Sequence, residues 1–152
     1  MTANNAAPAF ATIMLLTGVG IPILAALNGG LGTRLGSPMA ASMILFGLAF
    51  LIATAGAAMT GSLGQIRFTS DIPFQFYFGG LFVAFYVIAV TFIAPRFGVG
   101  NAIFFVLVGQ LISAATIDHF GLFGAMRAAI DLKRVAGIAL MIAGVDLARR
   151  TA

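Results

Sequence analysis

Few side chains in this sequence could do chemistry, and most of them lie in or beside long apolar runs. Gln110 sits near the middle of the uncharged stretch Phe97–Ile117. An amide there has no water to bond, so it must face another helix or a cavity. It is either a substrate-binding group on a translocation path or an interhelical hydrogen bond worth about 0.6–2 kcal/mol. Ser113, three residues on, and Asn101, nine before, are assigned to the same face and the same role. Asn28 follows Pro22 by six residues. It reads as a ligand-holding group at a broken helix end, or as a C-cap or turn residue. Tyr86 lies mid-run, where its hydroxyl must find a partner; lining a cavity and packing fit equally.

Asp118 and His119 are adjacent at the end of the same run as Gln110, and His119 is the chain's one histidine. Imidazole is the side chain that ordinarily changes charge near neutrality. The pair could therefore couple transport to protons, or could simply mark the membrane edge. No carboxylate falls in mid-membrane in the first three runs. That weakens any scheme in which a central acid exchanges a cation for protons. There is no cysteine and no glycine-rich phosphate loop. With one histidine, catalytic triads and the usual metal sets cannot be assembled. An enzyme is not expected, and neither is a cofactor or metal.

The elements that carry these residues are written in the composition. Of 152 residues, 61% are hydrophobic and 8% charged, against about 25% charged in a soluble domain. Residues 1–33, 35–66, 72–95 and 97–117 contain no charge. A charge at the bilayer centre costs at least ~2.5–3.5 kcal/mol, and a helix needs about 20 apolar residues to cross. These gaps predict an all-α, polytopic helix bundle in a single transmembrane domain, with spans at about 9–27, 39–59, 73–94, 99–117 and 133–148. The first run lacks a basic segment before it and is expected to be retained.

Small residues suggest contact faces: Gly47, Ala53 and Gly56 in the second span, Gly80 and Ala84 in the third, Gly137 and Gly144 in the fifth. Asn28 to Pro38 is rich in turn residues, with Ser37-Pro38 placed to start a helix, and Pro95–Gly98 reads as a tight turn. Tyr77 and its neighbouring phenylalanines suit an interfacial aromatic belt. The fifth span is the short one: eleven residues, Val135–Val145, separate Arg134 from Asp146. It could cross if Lys133, Arg134, Arg149 and Arg150 snorkel outward, with Asp146 and Arg150 paired one turn apart. The alternative is four spans plus a re-entrant segment.

Net charge is +4, but the basic residues flank hydrophobic runs. They suit lipid headgroups rather than nucleic acid. With five spans, Arg67, Arg127, Lys133 and Arg134 fall on one side and Arg34, Arg96, Arg149 and Arg150 on the other. The positive-inside rule then has no bias to act on. Dual insertion with an antiparallel homodimer is one consequence; orientation fixed by local charge placement is the other. Four spans would give six against two and one clear orientation.

Several of these residues carry a resemblance. Pro22, Asn28, Leu31, Leu35-Gly36-Ser37-Pro38 and Ala41-Ser42 resemble the YdcZ-type branch of the drug/metabolite transporter superfamily. So do Gly79-Gly80, Ala94–Gly98, Gly109-Gln110-Leu111, Ile117–Leu122 and the ending Arg134–Gly137 with Ala143–Val145. The resemblance covers nearly the whole chain. It implies a five-helix bacterial inner-membrane protein equivalent to half of a ten-helix EamA-type transporter. The expected function is then secondary transport, as an exporter, of a small metabolite or drug-like solute by alternating access, with a homodimer supplying the second half. A non-transporting accessory membrane subunit is the alternative.

Overall fold

A computed structural model of the chain describes residues 3–68 and 71–150, with side chains described from 7 to 147 outside 69–70. Five α-helices follow one another: α1 (Ala3–Leu35), α2 (Pro38–Met59), α3 (Gly79–Phe97), α4 (Val99–Phe120) and α5 (Leu132–Arg150). Short 3-10 turns lie at Ser62–Gln65, Phe74–Phe78 and Leu122–Gly124. No strand occurs among the described residues.

Among the described residues, four segments are long and apolar enough to cross a bilayer: Ala7–Leu35, Pro38–Met59, Phe74–Phe97 and Val99–Phe120. Their large side chains point mainly outward. Leu15, Phe50, Phe85 and Phe105 are all more than half exposed. In water such a surface would aggregate; among acyl chains it is already in its preferred solvent. The fifth helix has 19 residues, about 28 Å at 1.5 Å per residue. It is long enough to approach the bilayer thickness but carries charges at both ends. The side chain of Arg150, the expected partner of Asp146, lies outside the described residues, as does that of Arg149.

The chain forms two compact units, Met1–Arg96 and Phe97–Ala152. In the first, α1 packs on α2, and the C-terminal part of α1 meets α3. In the second, α4 packs on α5.

The turn between α1 and α2 shows how locally the chain is instructed. Gly36 adopts a left-handed conformation at φ +64°. Its N–H donates to the Thr33 carbonyl at 3.2 Å, and the Ser37 N–H donates to the Gly32 carbonyl at 3.0 Å. These two bonds close the end of α1 in a Schellman motif, which needs the positive φ that glycine adopts without strain. Ser37 then caps α2, its Oγ accepting from the Ala40 N–H at 3.2 Å. Pro38 follows at the first helical position, where its missing N–H costs nothing.

Two expected breaks lie elsewhere. Asn28 to Leu35 is helix, not connector. Glycine disfavours a helix by about 0.5–1 kcal/mol, yet here it permits close packing. A Cβ at Gly29 would lie 3.0 Å from Pro95 Cγ, and one at Gly32 would lie 3.2 Å from both Pro38 Cα and Thr91 Cγ2. The glycines are contact residues rather than turn residues. At the other break, α3 continues through Pro95 to Phe97 and only Gly98, at φ +89°, departs. By contrast, a Cβ at Gly47, Gly56, Gly80, Gly137 or Gly144 would meet nothing within 4 Å. The contact faces expected there are open within the single chain.

Candidate functional site

Among the described residues, the first unit buries three polar side chains, Asn28, Ser42 and Thr91, each at 5% exposure or less. Asn28 and Thr91 are joined. The Asn28 amide Nδ2 donates to Thr91 Oγ1 at 2.6 Å, and that hydroxyl donates in turn to the Val87 carbonyl at 2.7 Å. Ser42 Oγ donates to the Pro38 carbonyl at 2.9 Å. A buried polar group without a partner costs about 1–3 kcal/mol, so the Asn28–Thr91 bond fixes α1 against α3 as well as satisfying the amide. Thr91 is placed by a buried stripe on α3, with Val87, Val90 and Ala94 on the same face. Sequence reasoning did not single it out. The i, i+3, i+4, i+7 spacing was the available signal.

Asn28 therefore differs from both readings of it. It lies seven residues inside the end of α1, so it is neither a broken helix end nor a cap. Pro22 does not interrupt the helix.

Thr91 lines one cavity and Asn28 another. A cleft of about 330 Å³ is lined by Gly32, Thr33, Gly36, Pro38, Thr91 and Arg96. A groove of about 310 Å³ runs between α1 and α2, lined by Leu24, Leu27, Leu31, Ile44 and Leu48, with Asn28 as a polar group in its wall. At the cleft, Arg96 stacks 4.0 Å over the Phe92 ring and donates to the Phe92 carbonyl. Arg34, in the last turn of α1, donates to the Gly30 carbonyl at 3.2 Å. Both arginines complement the negative end of their helix.

Tyr86 is half-buried on α3, and its hydroxyl is buried without a hydrogen-bond partner among the described residues. On α4, Gln110 and Ser113 are exposed along one side. Asn101 does not join them. Nine residues along a continuous helix amount to two and a half turns, which puts Asn101 on the opposite side. Its Nδ2 donates to the Phe97 carbonyl at 2.9 Å.

The end of α4 carries a clasp. Asp118 Oδ2 pairs with Arg134 Nη2 of α5 at 2.5 Å. Arg134 Nη1 reaches the Ala128 carbonyl at 3.1 Å. The Ala128 N–H donates to the Asp118 carbonyl at 2.8 Å. His119 Nδ1 accepts from the Ile130 N–H at 3.0 Å, and Arg127 Nε donates to the His119 carbonyl at 3.2 Å. Asp118 and His119 thus hold the connector 121–131 against two helix ends, one through its carboxylate and one through its ring. Arg134, expected to snorkel, pairs with Asp118 instead. Replacing it with glutamine removes the ion pair and the Ala128 contact together. Exchange of the Ala128 and Ile130 amides with deuterium should then accelerate several-fold; unchanged exchange would show that the clasp does not hold the connector.

Apolar helices of spanning length, a starved charge content and a buried polar contact between helices define a multi-pass membrane protein. The family model described as "Putative inner membrane exporter, YdcZ" matches residues 9–147. The chain belongs to this family of membrane transporters. No curated protein and no solved structure matches it.

Proposed function

We propose that the protein is a secondary transporter that exports a small metabolite or drug-like solute by alternating access, working as a homodimer. Family membership over residues 9–147 carries this reading. Two further features support it. A polar pair lies buried at a helix contact beside two cavities, where a solute could be handed between environments. The exposed amide of Gln110 and hydroxyl of Ser113 would face hydrocarbon in a lone chain, and a second copy or a solute path would satisfy them. Transporters are commonly built from two inverted halves around a midplane site, and an antiparallel pair of this chain would supply both.

In this reading Gln110 and Ser113 contribute polar contacts to the solute from the second unit, and Tyr86 is a separate candidate contact in the first. Asn28 positions the helices beside the path, and Asn101 belongs to a separate face. Asp118 and His119, which hold the connector through the clasp, are the proposed proton-coupling groups.

Purified protein in liposomes should show saturable, gradient-driven flux of some member of a broad metabolite panel, and Gln110→Ala should lower it about tenfold or more if the lost contact is made in the rate-limiting state. Absence of flux, with co-purification of a partner chain, would favour the accessory-subunit alternative. Orientation is read separately. The chain has no native cysteine, so Ser62→Cys in the α2–α3 connector reports sidedness cleanly. Dual insertion predicts labelling from both faces of intact membranes; labelling from one face alone contradicts it.

A further inference from the structure

We infer that α4 is the surface on which two copies of this chain join, antiparallel, with Gln110 of each copy beside the two-fold axis. Asn101 and Thr116 of α4 satisfy themselves locally, each donating to the carbonyl four residues back at 2.9 Å. Gln110 and Ser113 do not. Both are exposed, and neither side chain has a hydrogen-bond partner among the described residues. The helix has 22 residues, about 33 Å at 1.5 Å each, so it spans the hydrocarbon. Its middle falls between Gly109 and Gln110, with eleven residues on either side. The amide is therefore exposed at the depth where no water can bond it, and a polar group left so is costly.

The pattern around Gln110 names the partner. Val106, Gly109, Gln110 and Ser113 follow the i, i+3, i+4, i+7 spacing of one helix face. None of the four is buried, and a Cβ on Gly109 would meet nothing within 4 Å. Gly109 and Ser113 are four apart, which lets a second helix approach closely. A two-fold axis through the middle of the helix, lying in the membrane plane, exchanges Val106 with Ser113 and Gly109 with Gln110. The patch is thus its own complement, as a closed two-fold interface requires. A covering segment of different sequence would have no need of that symmetry. Each Gln110 amide lies over the partner's Gly109, where no side chain obstructs it, and the two amides meet beside the axis. An amide carries both donors and acceptors, so the pair can bond to itself.

Charge and dipoles set the orientation. Counted over five spans, Lys and Arg are balanced between the two sides, so the positive-inside rule opposes neither orientation of the chain. Antiparallel packing also sets the positive end of each helix dipole beside the negative end of the other. A parallel pair would instead put Gly109 against Gly109 and Ser113 against Ser113, with the dipoles aligned. As an interface this assignment rests on α4 alone. As part of the solute path it rests on the transport reading and deepens it. Pairing leaves each amide with a free N–H and a free carbonyl lone pair. A solute at the midplane would then be held by both copies, and the site would be incomplete in one.

In the cysteine-free chain, two differently tagged forms, Val106→Cys and Ser113→Cys, are co-expressed and oxidised in native membranes. The mixed disulfide-linked dimer should exceed either self-linked dimer several-fold. Gln110→Leu in both forms should reduce it several-fold, and Asn101→Ala, on the opposite side of the helix, should not. Self-linking of Ser113→Cys at the level of the mixed product would show a parallel pair. No linked dimer at all would show the face to be covered by something else. Either result overturns the proposal. Should a cysteine form fail to fold, energy transfer between fluorophore-tagged copies, followed on dilution into lipid, decides the same question. Gln110→Leu should weaken the dimer several-fold, and unchanged dimer strength overturns the interface. Flux without mixed linkage would sink this interface and leave transport standing; linkage without any flux would do the reverse.

Discussion

Thr91→Val should lower the stability of the detergent-solubilised protein by about 1–3 kcal/mol, the cost of a buried polar group left without its partner. Valine matches threonine in shape but cannot accept from the Asn28 amide. That side chain is 5% exposed, and its Nδ2 donates to Thr91 Oγ1 across the helix contact. Adding Asn28→Leu to the same chain should recover much of the loss, because removing both partners leaves nothing unsatisfied. The four proteins form a double-mutant cycle, and the coupling should lie at about 0.5–3 kcal/mol. Thermal unfolding in one detergent at fixed protein concentration reads it. Additive losses would mean that the bond contributes nothing of its own. Thr91 lines the cleft and Asn28 the groove, so the single variants should also alter flux beyond their effect on folded protein.

Gly32→Ala and Gly47→Ala should move stability in opposite directions. Both glycines lie inside helices, where alanine is favoured by about 0.5–1 kcal/mol. At Gly47 a Cβ meets nothing within 4 Å, so the single chain gains that amount. At Gly32 the same atom would press on Pro38 Cα and Thr91 Cγ2, both at 3.2 Å. One of these is backbone. The other belongs to a hydroxyl side chain already fixed by two hydrogen bonds. Overpacking of this kind costs about 1–3 kcal/mol, which outweighs the helical gain. The expected result is a higher unfolding temperature for Gly47→Ala and a lower one for Gly32→Ala. Equal gains at both positions would remove the close approach of α1 to α2 and α3.

The spans were legible because they depend on a crude quantity, the distance between charges. Arg34, Arg67, Arg96 and Asp118 bracket the four segments of spanning length, and no packing detail is needed to see them. The start of α2 was legible for a different reason: Ser37-Pro38 satisfies its own backbone within three residues. What could not be read was whatever depends on a distant neighbour. The glycines after Asn28 look like a turn until Pro95 and Thr91 are placed beside them, and Thr91 looks ordinary until Asn28 is. Arg134 reads as a surface anchor because its partner, Asp118, is 16 residues away across a connector. The grouping of Asn101 with Gln110 failed on simple periodicity, since nine residues reverse the face.

Everything functional here depends on the exposed apolar faces of the long helices meeting acyl chains. Nitroxide labels at single cysteines replacing Leu15, Phe50, Phe85 and Phe105, one on each of α1 to α4, measure this directly in liposomes. Each label should collide readily with molecular oxygen, which dissolves in hydrocarbon, and hardly at all with a water-soluble nickel chelate. Strong nickel collisions at these positions would place the helices in water and contradict a membrane-spanning bundle.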